Sequence, residues 1–288
     1  MSLRRTLLKK PEMKDHYIEF MDKIFSSGHA ELASPLQPGQ ECWYLPSFGV
    51  YHPKKPGQIR IVFDSSSQHD NVSLNDVLLR GPDLNNSLLG ILIRFRCEPI
   101  AIMADIQQMF HSFLVKKEHR DYLRFLWFDN NNLDGDIVDY RMRVHVFGNC
   151  PSPAVAIYGL KRTAAEGHEE YGDQARLFVD RHFYVDDGLQ SFPSVSKAVE
   201  VLEKSQDMLA QSNLRLHKIA SNSSDVMKAF PKEDLAKGLQ KLDLAQDSLQ
   251  TQRSLGLQWD LAADTFTFQA TTSDKPFTRR CSPSRQRL

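Results

Sequence analysis

Phe183-Tyr184-Val185-Asp186-Asp187-Gly188-Leu189 is the stretch on which the reading of the whole chain turns. Leu177-Phe178-Val179 and Phe183-Tyr184-Val185 are apolar, aromatic and β-branched, so both favour a strand. Asp187-Gly188 is a hairpin-turn dipeptide, because Gly accepts positive φ without a Cβ clash, and Leu189 and Phe192 then resume an apolar strand. An ordinary Asp-Gly turn accounts for the stretch taken alone. Two adjacent carboxylates beside apolar residues nevertheless cost free energy unless a cation or hydrogen-bond donors satisfy them. What matters next is whether the chain supplies a third carboxylate and groups that handle phosphate.

The 288 residues suffice for one large domain or two small ones, and 41% hydrophobic with 25% charged residues is globular composition. No window has the roughly 18 apolar residues of a membrane span, and the N-terminus has no signal-peptide core. Cys42, Cys97, Cys150 and Cys281 lie far apart without metal-ligand or redox spacing, which reads as an intracellular protein with reduced thiols. Net charge is zero, so any nucleic-acid partner must be met by local basic patches. Arg4, Arg5, Lys9 and Lys10 make one such start, and Arg279, Arg280, Arg285 and Arg287 a basic end.

Met13, Tyr17, Phe20, Met21 and Ile24 recur at helical steps and predict a helix over 13–25. Trp43-Tyr44-Leu45 and Phe48-Gly49-Val50-Tyr51 are strand-like. Lys54-Lys55-Pro56-Gly57 then forms a basic turn into a strand with Ile59, Ile61 and Phe63 on one face and Arg60 and Asp64 on the other. Arg60 is a solvated surface charge or, with the two lysines, a polyphosphate clamp. Leu84, Leu88, Ile91 and Phe95 predict a helix entered at Gly81-Pro82-Asp83. Pro99 to Ala104 is an apolar run of the kind buried on both faces of a sheet, and Asp105 lies at its end, where a carboxylate caps the next turn or binds a cation. Leu123–Phe128 and Tyr140–Val146 read as a strand pair around a polar surface excursion, 129–136. In Phe147-Gly148-Asn149-Cys150-Pro151-Ser152-Pro153-Ala154, Ser152 is an N-cap candidate and Pro153 a first helical residue. Ala154, Ile157 and Tyr158 would form the buried stripe of that helix. After the Asp-Asp hairpin come a helix over Val195–Leu209, a strand Asn213–Lys218, an uninformative 222–250, and a last strand pair at 254–260 and 265–268.

In this order the pieces resemble the palm and fingers of reverse transcriptases, with Tyr184-Val185-Asp186-Asp187 the strongest motif. The wording resembles BEL/Pao-type long-terminal-repeat retrotransposon polyproteins in Tyr44-Leu45-Pro46, Arg60-Ile61-Val62-Phe63-Asp64, Val72-Ser73-Leu74-Asn75-Asp76, Leu92-Ile93-Arg94-Phe95-Arg96, Ala104-Asp105-Ile106, Ser221-Asn222-Ser223 and Leu255-Gly256-Leu257-Gln258-Trp259. The resemblance runs from about Leu3 to Arg280 and implies an α+β fold, an antiparallel palm sheet backed by helices, with fingers and a truncated thumb or connection. It would place an N-terminal helical segment at 1–35, fingers at 36–100 and 112–146, and palm at 101–111 and 147–222. A primer-grip or partial thumb would follow at 223–270, and a basic, disordered tail at 271–288.

The resemblance also implies chemistry. Asp105 and Asp186 would hold two Mg²⁺ ions (or Mn²⁺), with Asp187 and the Ile106 carbonyl completing the set. Arg60 with Lys54 or Lys55 would hold the triphosphate, Phe110 would be the steric gate beneath the sugar, and Phe147 and Gly148 would flank the incoming nucleotide. Lys218 is available to protonate the leaving pyrophosphate, and the strand at Leu255-Gly256-Leu257 would grip the primer. Partners would be an RNA or DNA template with primer and deoxynucleoside triphosphates, with no membrane, in a cytoplasmic retroelement particle or the nucleus. The polar ending Cys281–Leu288 departs from the family and reads as a truncated or frame-shifted copy without a ribonuclease H domain. Two functions follow: an RNA-directed DNA polymerase domain, or an inert remnant that at most binds nucleic acid. A different metal-dependent phosphotransferase would leave the Arg60 strand and the Ser152-Pro153 loop unexplained.

Overall fold

Two hydrophobic cores organise the chain, whose structure, a computed structural model, describes residues 3–52, 55–240 and 251–267. Lys54, residues 241–250 and the tail from 268 onward lie outside the described residues. Helices α1 (Leu3–Lys9) and α2 (Pro11–Ser26) open the first unit, with Pro at the first helical position of α2 and Tyr17, Met21 and Ile24 turned inward. Strand β1 (Ala30–Leu32) follows, and β2 (Ser47–His52) and β3 (Lys55–Phe63) pair antiparallel, with Ile61 and Phe63 buried and Arg60 exposed. The two-residue strands β4 (Gln68–His69) and β5 (Val72–Ser73) lead into the short helix α3 (Leu74–Val77). Its capping box is Ser73 and Asp76: the Ser73 N–H donates to Asp76 Oδ2 at 2.8 Å.

Helix α4 (Leu88–Arg94) and strand β6 (Ile100–Ile106) belong to the second core, whereas β7 (Arg124–Phe128) and β8 (Ile137–Met142) return to the first. There the sheet order is β1-β8-β7, and Tyr17 stacks on Trp127 with ring centroids 5.3 Å apart. Buried among these strands is an ionic cluster. Asp121 accepts from Arg124 at 2.8 Å and from Arg141 at 2.9 Å, while Glu31 accepts from Arg141 at 2.9 Å and Arg120 at 3.2 Å.

The second core is closed by α5 (Ser152–Tyr171), α6 (Asp173–Arg181), the hairpin β9 (Phe183–Tyr184) and β10 (Asp187–Phe192), α7 (Val195–Ala210), β11 (Leu216–Ser221) and α8 (Ser224–Lys228). Its sheet, in the order β11-β6-β10-β9, is antiparallel throughout and is the expected palm. A three-stranded meander, β12 (Gln252–Ser254), β13 (Leu257–Asp260) and β14 (Thr265–Thr267), joins the same core through Trp259, whose ring meets Phe95 at the end of α4 edge-on at 5.2 Å.

Several expectations are corrected. Leu177-Phe178-Val179 lies in α6 rather than in a strand, because Ala175, Phe178 and Val179 bury one helical face. The hairpin turn is Val185-Asp186, with Val185 at φ +55. Gly188 instead sits in β10 opposite Phe183, where an added Cβ would lie 2.6 Å from the Phe183 ring. Ser152 is the first residue of α5 and caps nothing; its hydroxyl donates to the Val146 carbonyl at 2.9 Å. Tyr158 is exposed, and Ala156, Ile157, Leu160 and Ala164 make the buried stripe. The helix expected from Leu84 starts at Leu88, where the Ser87 hydroxyl accepts from the Gly90 N–H. The excursion 129–136 is anchored by buried Leu133 and by an Arg4–Asp134 ion pair at 3.1 Å. Helices α1 and α2 share a core with β3, β7 and β8, and α4 shares one with β6 and β10. Leu255-Gly256 is a turn, not a strand, with φ of +51 and +81, the pattern of a type I′ hairpin.

Gly188→Ala tests the packing reason for that glycine. The Phe183 ring is itself wedged against Phe178 at 5.1 Å and cannot swing clear, so the variant loses about 1–3 kcal/mol and melts several degrees lower. A second outcome concerns pH. Burial, with the charge of His29, pushes the His111 imidazole down to about 4. A histidine with its folded pKa below the unfolded value gives its full contribution above about 6.5, and that contribution drains away as pH falls toward 4. Thermal melts should therefore drop between about pH 7 and 4.5, and His111→Met should flatten that slope; an unaltered slope in the variant rules His111 out as its source.

Candidate active site

The central strand β6 is an apolar run, Ala101 to Ala104, buried on both faces and ending in a half-buried Asp105. β10 pairs with it so that Asp187 stands directly opposite Asp105, and β11 pairs on the other side so that His217 stands opposite the same residue. Directly opposed residues share a face with Cβ atoms about 4.5–5.5 Å apart, so Asp187, Asp105 and His217 form a row across the sheet. Asp186 occupies the turn beside them, its carbonyl accepting from the Ile106 N–H at 2.9 Å. A β-branched residue rarely adopts positive φ, so Val185 at +55 marks strain in this turn, held by packing on the palm core.

The carboxylates differ electrostatically. Asp105 Oδ1 lies 3.0 Å from His217 Nε2, and Oδ2 accepts from Lys218 Nζ at 2.8 Å. Burial opposes ionisation of Asp105, but the bonds from His217 and Lys218 outweigh it and hold the carboxyl below its ordinary range. Asp186 is pushed up, first by burial and then by the negative charge of Asp105. Like charges at close quarters over hard oxygen donors are what a divalent cation such as Mg²⁺ relieves, and by donor chemistry the site fits one. Among the described residues no three acidic, histidine or cysteine side chains are already gathered at metal-ligand spacing; Asp105 spends both oxygens on His217 and Lys218.

Two clefts meet at Asp187. One, of about 710 Å³, is lined by Arg60, Phe110, Phe147, Asp186 and Asp187, with Leu255 of the β12–β13 turn at its edge. The other, of about 530 Å³, is lined by Asp105, Asp187, Lys218, Lys237, Gln252 and Arg253. Phe110 follows Asp105 on a 3₁₀ turn, 109–112, and its half-buried ring meets that of exposed Phe147 edge-on at 6.0 Å. Gly148 takes φ +94 at the rim of a third hollow of about 520 Å³. Lys218 is thus found on Asp105, and Lys55 contributes only backbone that is described, in β3.

Three residues escaped the sequence reading. His217 is brought to Asp105 by strand register. Asn75 donates to the Gly148 carbonyl at 2.9 Å and accepts from the Cys150 N–H at 2.8 Å, so it pins the 147–150 loop to α3; the Ser73–Asp76 capping box was its available signal. His145, with its Nδ1 3.2 Å from the Ser152 hydroxyl, steadies the same loop from beneath.

Neither a protein-family profile nor a curated protein matches this sequence. Among solved structures, a foamy viral protease-reverse transcriptase in complex with double-stranded DNA is similar at TM-score 0.53 and 18% identity, over 72% of this chain and 30% of that one. A Prototype Foamy Virus protease-reverse transcriptase mutant is similar at TM-score 0.54 and 19% identity, over 72% of this chain and 24% of the other. The chain thus spans about a quarter to a third of the length of these neighbours. Likeness at such identities is likeness of fold, and the fold of this chain is reverse-transcriptase-like, antiparallel sheets backed by helices.

Proposed function

We propose that this chain is the polymerase domain of a BEL/Pao-type retroelement reverse transcriptase, adding deoxynucleotides to a primer 3′-hydroxyl on an RNA or DNA template. The observation that carries the proposal is the pairing of Asp105 with Asp187 on adjacent strands, with Asp186 in the turn beside them and Asp186 and Asp187 lining a cleft that Arg60 and Phe110 also line. Two Mg²⁺ ions (Mn²⁺ as a substitute) held by Asp105, Asp186, Asp187 and the Ile106 carbonyl would supply charge neutralisation for the attacking hydroxyl and the leaving pyrophosphate. Arg60, with Lys54 or Lys55 near it in sequence, orients the triphosphate through a rigid fork of donors. Phe147 and Gly148 flank the nucleotide, with Asn75 fixing their loop. Lys218 carries a proton for the pyrophosphate once it leaves Asp105. The meander's Leu255-Gly256 turn, whose Leu255 lines the same cleft as Asp186, serves to hold the primer end.

A second reading, a non-catalytic domain that binds nucleic acid, is favoured by one observation: both Asp105 oxygens are engaged by cationic or donor side chains. Primer extension on an RNA template with Mg²⁺ and deoxynucleotides separates the two. For the polymerase, Asp186→Asn lowers extension on the order of 10³-fold. The variant melts no lower than wild type at neutral pH, because the Asp186 charge is disfavoured in the folded state by burial and by Asp105. Absence of extension by wild type that still binds the duplex selects the second reading.

Sugar choice tests Phe110. An attractive pocket rejects one added hydroxyl by only about 100-fold, so a rigid ring beneath the ribose is the stronger device. Phe110→Val should admit ribonucleotides while deoxynucleotide incorporation survives. Unchanged selectivity with stability lowered by roughly 1–3 kcal/mol would leave Phe110 a packing residue only.

A further inference from the structure

β11 is paired with β6 as Leu216 to Ile106 and His217 to Asp105, and then resumes as Ala220 to Met103 and Ser221 to Ile102. Lys218 and Ile219 therefore stand against Ala104 alone, which makes a β-bulge. Lys218 takes φ +53 there, a conformation disfavoured for any residue with a Cβ. In a regular strand, neighbouring side chains project from opposite faces, and only one of His217 and Lys218 would reach Asp105. The bulge cancels that alternation. His217 Nε2 lies 3.0 Å from Asp105 Oδ1 and Lys218 Nζ 2.8 Å from Oδ2, so consecutive residues serve the two oxygens of one carboxylate.

We propose that His217 is a positioning residue which, through this bulge, fixes the rotamer of Asp105 and so sets the affinity of the carboxylate cluster for a divalent cation; this rests on the polymerase reading of the same site. A carboxylate only accepts, so Nε2 carries the hydrogen, as it can in the neutral and the charged ring alike. The two donors are not equivalent. The His217 side chain is 15% exposed, whereas that of Lys218 is 45% exposed on a long flexible stem. Lys218 can therefore leave Oδ2 while His217 remains on Oδ1, and each carboxylate oxygen keeps a further lone pair for a cation. Partners that hydrogen-bond a ligating group typically change metal affinity by about 10–100-fold when removed.

The test is Mn²⁺ binding to the full chain without nucleic acid, followed by electron paramagnetic resonance, beside primer extension at varied Mg²⁺ and a melting curve. His217→Ala should weaken Mn²⁺ binding by about 10-fold or more and raise the Mg²⁺ needed for half-maximal extension by a similar factor. His217→Gln, which keeps a donor, should recover most of that loss, a rescue that a role in sheet packing alone would not produce. Should His217→Ala fail to fold, His217→Phe retains ring volume without the donor and is read the same way. Unchanged Mn²⁺ affinity in the donor-free variant overturns the inference, and if wild type still extends primers the polymerase reading stands without it. Wild-type protein that neither binds Mn²⁺ nor extends a primer overturns both.

Discussion

Strand β6 is hydrogen-bonded on both sides, and the site exists because of that. Ala101 to Ala104 are buried, and the strand lies between β10 and β11. Side chains alternate along a strand, so a slip of one residue would carry Asp105 into the helix-backed core and push an apolar residue out. The hydrophobic run thus sets the register, and the register sets which residues oppose Asp105. Asp187 and His217 are its neighbours for that reason. The charges follow from the same placement: a half-buried acid held by two donors on one strand, and a second acid made reluctant to ionise by its burial and then by the first.

Much of this was legible in the chain. The apolar run ending in Asp105, the strand bearing Arg60, the strand bearing Lys218 and the helix of Val195 to Ala210 all carried their periodicity openly. The two-carboxylate hairpin was legible as a hairpin, but its geometry was not. Local rules put positive φ on Gly188, whereas the structure gives it to Val185 and uses Gly188 to admit the Phe183 ring. Close packing between strands decided that, and strand propensity has no access to it. Leu177-Phe178-Val179 misled for a similar reason, since a three-residue apolar run suits either a strand or one face of a helix. His217 was silent because strand register decides that it opposes Asp105, and the bulge that brings Lys218 to the same carboxylate is invisible in sequence.

The fingers core shows a different kind of silence. Arg124 and Arg141 are almost wholly buried; their partner Asp121 lies three residues before Arg124, whereas Glu31 comes from a distant part of the chain. Burial opposes charge on both acids, yet the guanidinium bonds win and hold each carboxyl low. Removing one member would strand another charge in the interior, which costs more than the pair gains. Such a network is read on the surface of a sequence as ordinary charged residues. In the fold it ties β1 and β8 to the segment before β7, and so holds the unit that carries Arg60 and the Phe147 loop.

Strain is concentrated where the chemistry would be. Gln108, Val185, Lys218 and Leu255, the described non-glycine residues other than Asn and Asp with positive φ, each border one of the two clefts around the carboxylates. A non-glycine residue so placed costs on the order of 1–3 kcal/mol, and a domain's net stability is only about 5–15 kcal/mol. Four such residues around one site would consume a large share of that margin unless the surroundings over-determine them. Here they are over-determined: α5, α6 and α7 back the palm sheet with Ala156, Leu160, Phe178, Val201 and Leu202, all buried, and the fingers core holds the other wall. The regular, apolar parts of the molecule thus bear the cost of the irregular turns, and those turns aim Asp186, Lys218 and the Phe110–Phe147 pair at the clefts.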